Sequence, residues 1–322
     1  MFNNCRAITF ISIMILISLL TDFNAQNKQK KKEKKDKSVK SEVPENKGEF
    51  NKLQEMGGSR RNSYRDDYIW GINTAFPTPK SAKDISLVNS SRFGVSDNIE
   101  LSSNILMNLL APNLFLKYNY KKEKLWISSR HGLYSATMGM ERLSEFDYVQ
   151  KIDTTEIIPF SITLRNEIIL SYPIFNNLDC GSRQPYLIFS LVGGVDYGYS
   201  FDNWSGALLN NSYLEPRTAA LLGDGFMLRI LGRVDYLPTQ RWKIEGEIAA
   251  INDNLTSIWG FEGKGVAKYF LFLNLSTSFG FMASYSTGVS SPPFTILPMI
   301  DFTYYIGTRQ NRERGLWNKK MF

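Results

Sequence analysis

From about residue 67 to residue 306 the chain is written in runs of roughly nine to fifteen residues in which polar and apolar side chains alternate. A period of two sends successive side chains to opposite faces of a β-strand. The stretch RFGVSDNIELSSNI, residues 92–105, shows the pattern twice. Phe93 and Val95 oppose Arg92 and Gly94; Ile99, Leu101 and Ile105 oppose Glu100, Ser102 and Asn104; Ser96, Asp97 and Asn98 form the turn. No segment carries a helical stripe of three or four turns. Strands are expected near 84–95, 98–108, 112–121, 124–134, 160–173, 185–199, 215–223, 226–237, 241–252, 260–272, 275–288 and 295–306, with a shorter candidate at 68–76. Two connections are long, 135–159 and 200–214, and parity puts both at the same end of a meander. Counting 68–76 would require a fourteenth strand, so the end that the long connections occupy stays open.

Two architectures fit such a chain: a sandwich with its charges in water, or a barrel with its charges inside. Strand length favours the barrel. Strands of soluble proteins run about 5–6 residues, whereas a tilted membrane strand needs about 9–11. The polar face carries both signs on nearly every strand. It presents Arg92 and Glu100 at the start, then Lys117, Arg130, Arg165 and Glu167, then Arg229, Arg233 and Asp235, then Lys243, Glu245 and Glu247. Mixed charge suits a narrow hydrated lumen in which Arg and Glu pair across strands. The apolar face reads Leu114, Leu116 and Tyr118; Leu125, Ile127 and Leu133; Ile162, Leu164, Ile168 and Leu170; Ile230, Val234 and Tyr236. Aromatics gather toward strand ends, as interfacial girdles do. The expected fold is an all-β transmembrane up-and-down antiparallel barrel of about twelve strands, spanning residues 67–306 and meeting outer-membrane lipid with its apolar face.

The N-terminus fixes the compartment. Arg6 precedes a 14-residue apolar run at 7–20, and Ala25 offers a cleavage point before Gln26. That is the outline of a secretory signal over residues 1–25; the run is shorter than the roughly 20 residues a membrane helix needs. Cys5 leaves with the signal, so Cys180 has no intrachain partner and no disulfide is expected. Residues 26–66 are polar and Lys-rich, and a disordered tail is expected there. Residues 27–40 hold eight Lys against Glu33 and Asp36, a net +6 out of the chain's +7. The rest is close to neutral, which argues against nucleic acid as a partner. The Lys28–Lys40 run is either a solvated spacer or a contact for an anionic surface or periplasmic partner. Residues 307–322 read as a C-terminal tail, since Lys319 and Lys320 spoil the last apolar stretch.

With the hairpin placed, RFGVSDNIELSSNI followed by LLAPNLFLKY, ISSRHGL and RNEIIL resembles a group of uncharacterised outer-membrane β-barrel proteins of Gram-negative bacteria. In that group an Arg-aromatic-Gly strand, a Thr/Ser-Asp turn and a Glu-Leu strand begin the barrel. The resemblance covers roughly residues 72–306. It implies a fold and a compartment and carries no catalytic residues; the Lys-rich tail departs from it.

Chemistry is sparse. His131, the single histidine, shares the apolar face with Ser129 two residues earlier, and Asn166 on the following strand could orient the ring. Ser, His and Asn can act as nucleophile, base and orienter. Some outer-membrane lipid hydrolases resemble this in placing Ser and His on the lipid side, with the opposite order. One His and one Cys cannot build a metal cage, and GFEGKG at 260–265 lacks the context of a phosphate loop, so no metal or cofactor is expected. A non-catalytic barrel is therefore expected: porin-like passage of a small polar solute through a charged lumen, or a structural or assembly role in the outer membrane. A lipid-modifying enzyme using Ser129 and His131 is the third alternative.

Overall fold

In the computed structural model nine of the twelve alternating runs pair as strands within two residues of their expected bounds. The structure describes residues 69–306 apart from 145–148, 151–157, 159, 176–184, 202–207, 210, 240, 273 and 289–292. The signal segment, the Lys-rich tail and the C-terminal tail lie outside the described residues. The strands are β1 Lys83–Ser86, β2 Ser91–Gly94, β3 Ile99–Ser103, β4 Asn113–Lys122, β5 Trp126–Tyr134, β6 Val149–Gln150 and β7 Ser161–Phe175. They continue as β8 Pro185–Ser200, β9 Leu208–Leu209, β10 Asp224–Tyr236, β11 Trp242–Asp253, β12 Trp259–Phe272, β13 Leu275–Ser286 and β14 Phe294–Ile306. All but β6 and β9 form one closed antiparallel barrel of twelve strands; β6 and β9 pair only with each other. The cylinder closes through β1, where Lys83 lies opposite Ile306 and Ser86 opposite Thr303.

The barrel is inverted relative to a soluble protein. Glu100, Lys117 and Lys243 are completely buried, while Ile168, Ile230, Ile248 and Ile300 are 60–73% exposed. Period two makes this possible: Arg229 and Arg233 alternate with Leu228, Ile230 and Val234 on β10. Among the described residues no helix is long and apolar enough to cross a membrane. The outward apolar band belongs to strands whose backbone groups are satisfied by closure, which is what hydrocarbon demands. Aromatic rings mark both rims of the band. Trp242 packs on Tyr269 at 4.8 Å near one end, and Tyr199 packs on Phe201 at 5.2 Å near the other. The structure thus defines a membrane-spanning barrel.

Three expected strands turn out otherwise. The run 84–95 is two short strands, because residues 87–90 form a turn gripped by Asp301. Its carboxylate accepts from the backbone N–H of Leu87 at 3.0 Å and Val88 at 2.9 Å, and from the Asn89 amide at 2.7 Å. The run 98–108 ends at Ser103, where Asn104 accepts from the Met107 N–H and starts a single 3-10 turn, Met107–Leu109. The run 215–223 is not a strand. Pro216 opens a 3-10 turn, Glu215–Arg217, which leads into the short helix Thr218–Leu222, closed by Gly223 at φ +79. Proline suits a first turn, where its missing N–H costs nothing. One strand gained and one lost leave the count at twelve. The 68–76 candidate, from Ile69 on, does not join the sheet either; it lies inside it.

Both long connections, β5–β7 and β8–β10, leave the barrel at the end opposite Lys83 and Ile306. Helix α1, Thr137–Ser144, and helix α2, Thr218–Leu222, belong to them. Ala136, Met140, Ile158, Leu209 and Leu222 form their shared apolar cluster.

If Ile230 faces hydrocarbon at mid-strand, Ile230→Arg should cost about 2–4 kcal/mol in a bilayer. Urea unfolding of the refolded chain in vesicles measures this; a water-facing residue would give a change near zero.

Candidate functional site

Residues 69–80, IWGINTAFPTPK, carry no charge before Lys80 and no regular structure, and they run through the lumen. Irregular backbone at membrane depth is tolerated only where protein satisfies it. Here the barrel wall does so. Lys243 donates to the carbonyl of Ile69 at 2.9 Å and Arg92 to that of Trp70. Arg130 donates to Ile72 O at 3.2 Å, Asn119 and Ser128 donate to Ala75 O, and Lys117 donates to Phe76 O at 3.3 Å. In the other direction the Thr78 N–H and hydroxyl reach Glu100 Oε2 at 2.7 and 2.9 Å. Two glycines make room. A Cβ on Gly71 would fall 2.1 Å from the Arg233 guanidinium, and one on Gly94 would fall 1.9 Å from the Pro79 carbonyl. Ile69, Trp70 and Ala75 also join an apolar cluster with Trp126, Ile169, Ile188 and Phe270.

The charged side chains of the inner wall form three groups around this segment. Glu100 pairs with Lys117 at 3.0 Å, and Arg92 pairs with Asp84 at 2.5 Å and lies 3.9 Å from Glu100. Glu167 pairs with both Arg130 and Arg229. Arg233 pairs with Asp235 at 2.6 Å, with Glu245 at 2.8 Å and with Glu247, while Lys243 pairs with Asp235 and Glu245. A fourth pair, Arg165 with Asp196 at 2.5 Å, is braced by the Tyr134 hydroxyl and stands apart, toward the long connections. Each of the twelve residues singled out on the polar face has a carboxylate or cationic partner inside the barrel. Sequence reasoning missed Asp84, Asp196, Arg217 and Glu262. Asp196 shares the period of Ser190 and Gly194 on β8, but small residues on either side hide the signal.

The opposite end is closed by residues 211–222. Ser212 bonds Thr295 at 2.7 Å, Glu215 accepts from Ser286 at 2.6 Å, and Arg217 pairs with Glu262 at 2.6 Å. Asp253 accepts from the Ala219 N–H at 2.5 Å, and Gly260 leaves space for Pro216.

A separate polar cluster sits on the outside. His131 Nδ1 lies 2.8 Å from Asn166 Oδ1, and His131 Nε2 lies 3.0 Å from Ser129 Oγ. The Tyr120 hydroxyl lies 2.8 Å from the same Ser129 Oγ. Register brings them together: His131 is directly opposite Asn166, and Tyr118 opposite Ser129. Tyr120 is the extra residue of a β-bulge between Asn119 and Lys121. Bulges re-aim side chains, and this one turns Tyr120 onto Ser129.

Closed barrel, apolar exterior and ion-paired interior together define the class: an integral membrane β-barrel whose lumen is filled by its own chain. The resemblance to outer-membrane β-barrels thus holds at the level of fold. No family model and no curated protein matches the chain. Among solved structures it is similar to a KdgM porin in complex with disordered oligogalacturonate, at TM-score 0.38 and 9% identity over 69% of this chain and 95% of that one. It is also similar to OmpT, an outer-membrane protein of Vibrio cholerae, at TM-score 0.37 and 11% identity over 67% of this chain and 63% of that one. A third is the NanC porin, at TM-score 0.36 and 11% identity over 71% and 98%.

Removing one partner of a buried ion pair strands the other, at about 3–5 kcal/mol. Glu167→Gln should therefore lower unfolding stability in vesicles by that amount. Glu123→Gln, which breaks the exposed pair with Lys121, should cost less than about 1 kcal/mol.

Proposed function

We propose that this chain is an outer-membrane passage for a small polar solute, held closed at rest by its own N-terminal segment. The observation that carries this reading is the lining of the lumen. Lys243, Arg92, Arg130 and Lys117 are aimed at backbone carbonyls of residues 69–76, places that a polar or anionic solute would take if the segment left. The segment is uncharged, so its withdrawal leaves the ion pairs of the wall intact. Selectivity would come from that wall, as in pores lined by rings of charge. Residues 211–222 make a second closure, and solute must displace or bypass them too. The Lys28–Lys40 run leads into the segment along the chain; contact with an anionic periplasmic surface or partner there would pull on it.

A permanently sealed structural barrel is the competing reading, favoured by the apolar anchor of Trp70. Planar-bilayer conductance separates them. The full chain should conduct little, and Gly71→Val, whose side chain collides with Arg233, should raise conductance several-fold. Arg233→Gln added to that variant should then shift its ion selectivity toward cations. A bilayer that stays tight while Trp70 fluorescence reports the segment displaced would leave the sealed barrel as the answer.

A further inference from the structure

The outward cluster has a direction. Asn166 presents Oδ1 to the ring and can only accept, so the proton of His131 sits on Nδ1. In the neutral ring Nε2 then carries a lone pair that accepts from the Ser129 hydroxyl, 3.0 Å away. With its own proton directed at Nε2, Ser129 Oγ accepts from the Tyr120 hydroxyl, 2.8 Å away. This is the arrangement of an activated nucleophile: a hydroxyl on a neutral imidazole, with the imidazole oriented by a third group. We propose that Ser129, His131 and Asn166 form a serine-hydrolase site that cleaves ester-linked acyl chains of membrane lipid.

Location selects the substrate. The cluster faces the same way as Leu116, Leu133, Leu164 and Ile168, all 40–60% exposed on the barrel exterior. An acyl chain lying on that surface would run along these side chains. His131 is three residues from the end of β5 at Tyr134. At about 3.3 Å per residue and a strand tilt near 40°, that is roughly 8 Å along the barrel axis. Leu133 lies opposite Leu164 and Leu164 opposite Tyr197, so the cluster lies just inside the aromatic rim at the long-connection end. That is the depth at which acyl ester carbonyls meet the hydrocarbon.

The chemistry balances with water as the second reactant. Ser129 Oγ attacks the ester carbonyl carbon as its proton passes to His131 Nε2. The carbon–oxygen bond to the lipid alcohol breaks, and His131 returns that proton to the departing oxygen. Water then adds to the acyl-serine, giving its proton to Nε2; collapse releases the fatty acid and restores the serine hydroxyl. Asn166 is a positioning residue that holds the tautomer. Tyr120 covers the nucleophile at rest and moves off it, or donates to the oxygen that gains charge, when lipid enters.

The test uses the full chain refolded in vesicles of ester phospholipid and, separately, in vesicles carrying lipid A, with fatty-acid release as the readout. Release from either source sustains the proposal and names the source, provided Ser129→Ala and His131→Ala each lower it about 10³-fold or more. Ether-linked phospholipid should yield no product. Asn166→Asp, whose carboxylate still accepts from Nδ1–H, should keep activity, whereas Asn166→Leu, which cannot accept, should lower it about ten-fold or more. A fluorophosphonate should label the wild-type barrel at Ser129, located by mass spectrometry, which needs no variant to fold. A folded barrel that releases no fatty acid from either lipid and takes no label at Ser129 overturns the proposal. Release that survives Ser129→Ala overturns it as well.

Discussion

Everything in this molecule follows from the need to satisfy polar groups where water is absent. Lipid offers no hydrogen bonds, so every strand must have two partners, and β1 meets that need by closing on β14. Closure creates an interior, and the interior repeats the problem. Twelve strands enclose a lumen too narrow to leave Arg92, Arg130, Arg233, Lys117 and Lys243 in bulk water, and all five are buried. A buried charge is tolerable only when paired and hydrogen-bonded. Acidic partners neutralise these side chains, but an arginine has five N–H groups and a carboxylate pair does not use them all. The carbonyls of residues 69–76 take further bonds from Arg92, Arg130, Lys117 and Lys243, while Arg233 is taken up by three carboxylates. The lumen is thus filled by backbone for the same reason that the barrel is closed by backbone.

This explains why the later strands were legible and the N-terminal third was not. From β4 onward each long strand, β9 and the short β6 aside, faces hydrocarbon on one side and the lumen on the other, so period two is written along its full length. Most such strands begin and end within two residues of the alternation. Residues 84–95 alternate just as well, yet the chain turns back at 87–90 because Asp301, more than two hundred residues away, caps that turn. Residues 69–76 are apolar enough to pass for a short strand, but their partners are side chains of β2, β4, β5, β7 and β11, and no local pattern reports such contacts. Residues 215–223 look strand-like because their apolar side chains pack under the long connections rather than against lipid. The expected number of strands came out right through two opposite errors.

The candidate sites divide the same way. The inward side of Glu100, Glu167 or Lys243 follows from period two alone. Which cation meets which carboxylate follows from register, and register is set by pairing across the sheet. The outward cluster is the clearest case. That Ser129 and His131 share a face follows from their spacing of two; that Asn166 lies directly opposite His131 depends on how β5 slides against β7. The bulge at Tyr120 leaves no trace in composition, since a bulge is an extra residue only relative to a partner strand.

Inside and outside then obey one rule with different consequences. The inner wall is closed in the electrical sense: carboxylates pair with cations, and carbonyls of the plug take further bonds from Arg92, Arg130, Lys117 and Lys243. Such a network is costly to disturb. A state in which the segment has left the lumen must replace those bonds and withdraw Trp70 from its apolar cluster. Only an agent that binds the withdrawn segment or the emptied wall can supply that difference. The outer cluster is not closed in this way. Its hydrogen bonds join Tyr120, Ser129, His131 and Asn166 to one another, which lets them stand in an apolar belt. A leucine at each position would be simpler and more stable against lipid. The cluster keeps three polar side chains on the lipid-facing side of β5 and β7, bonded to one another across the strand pair.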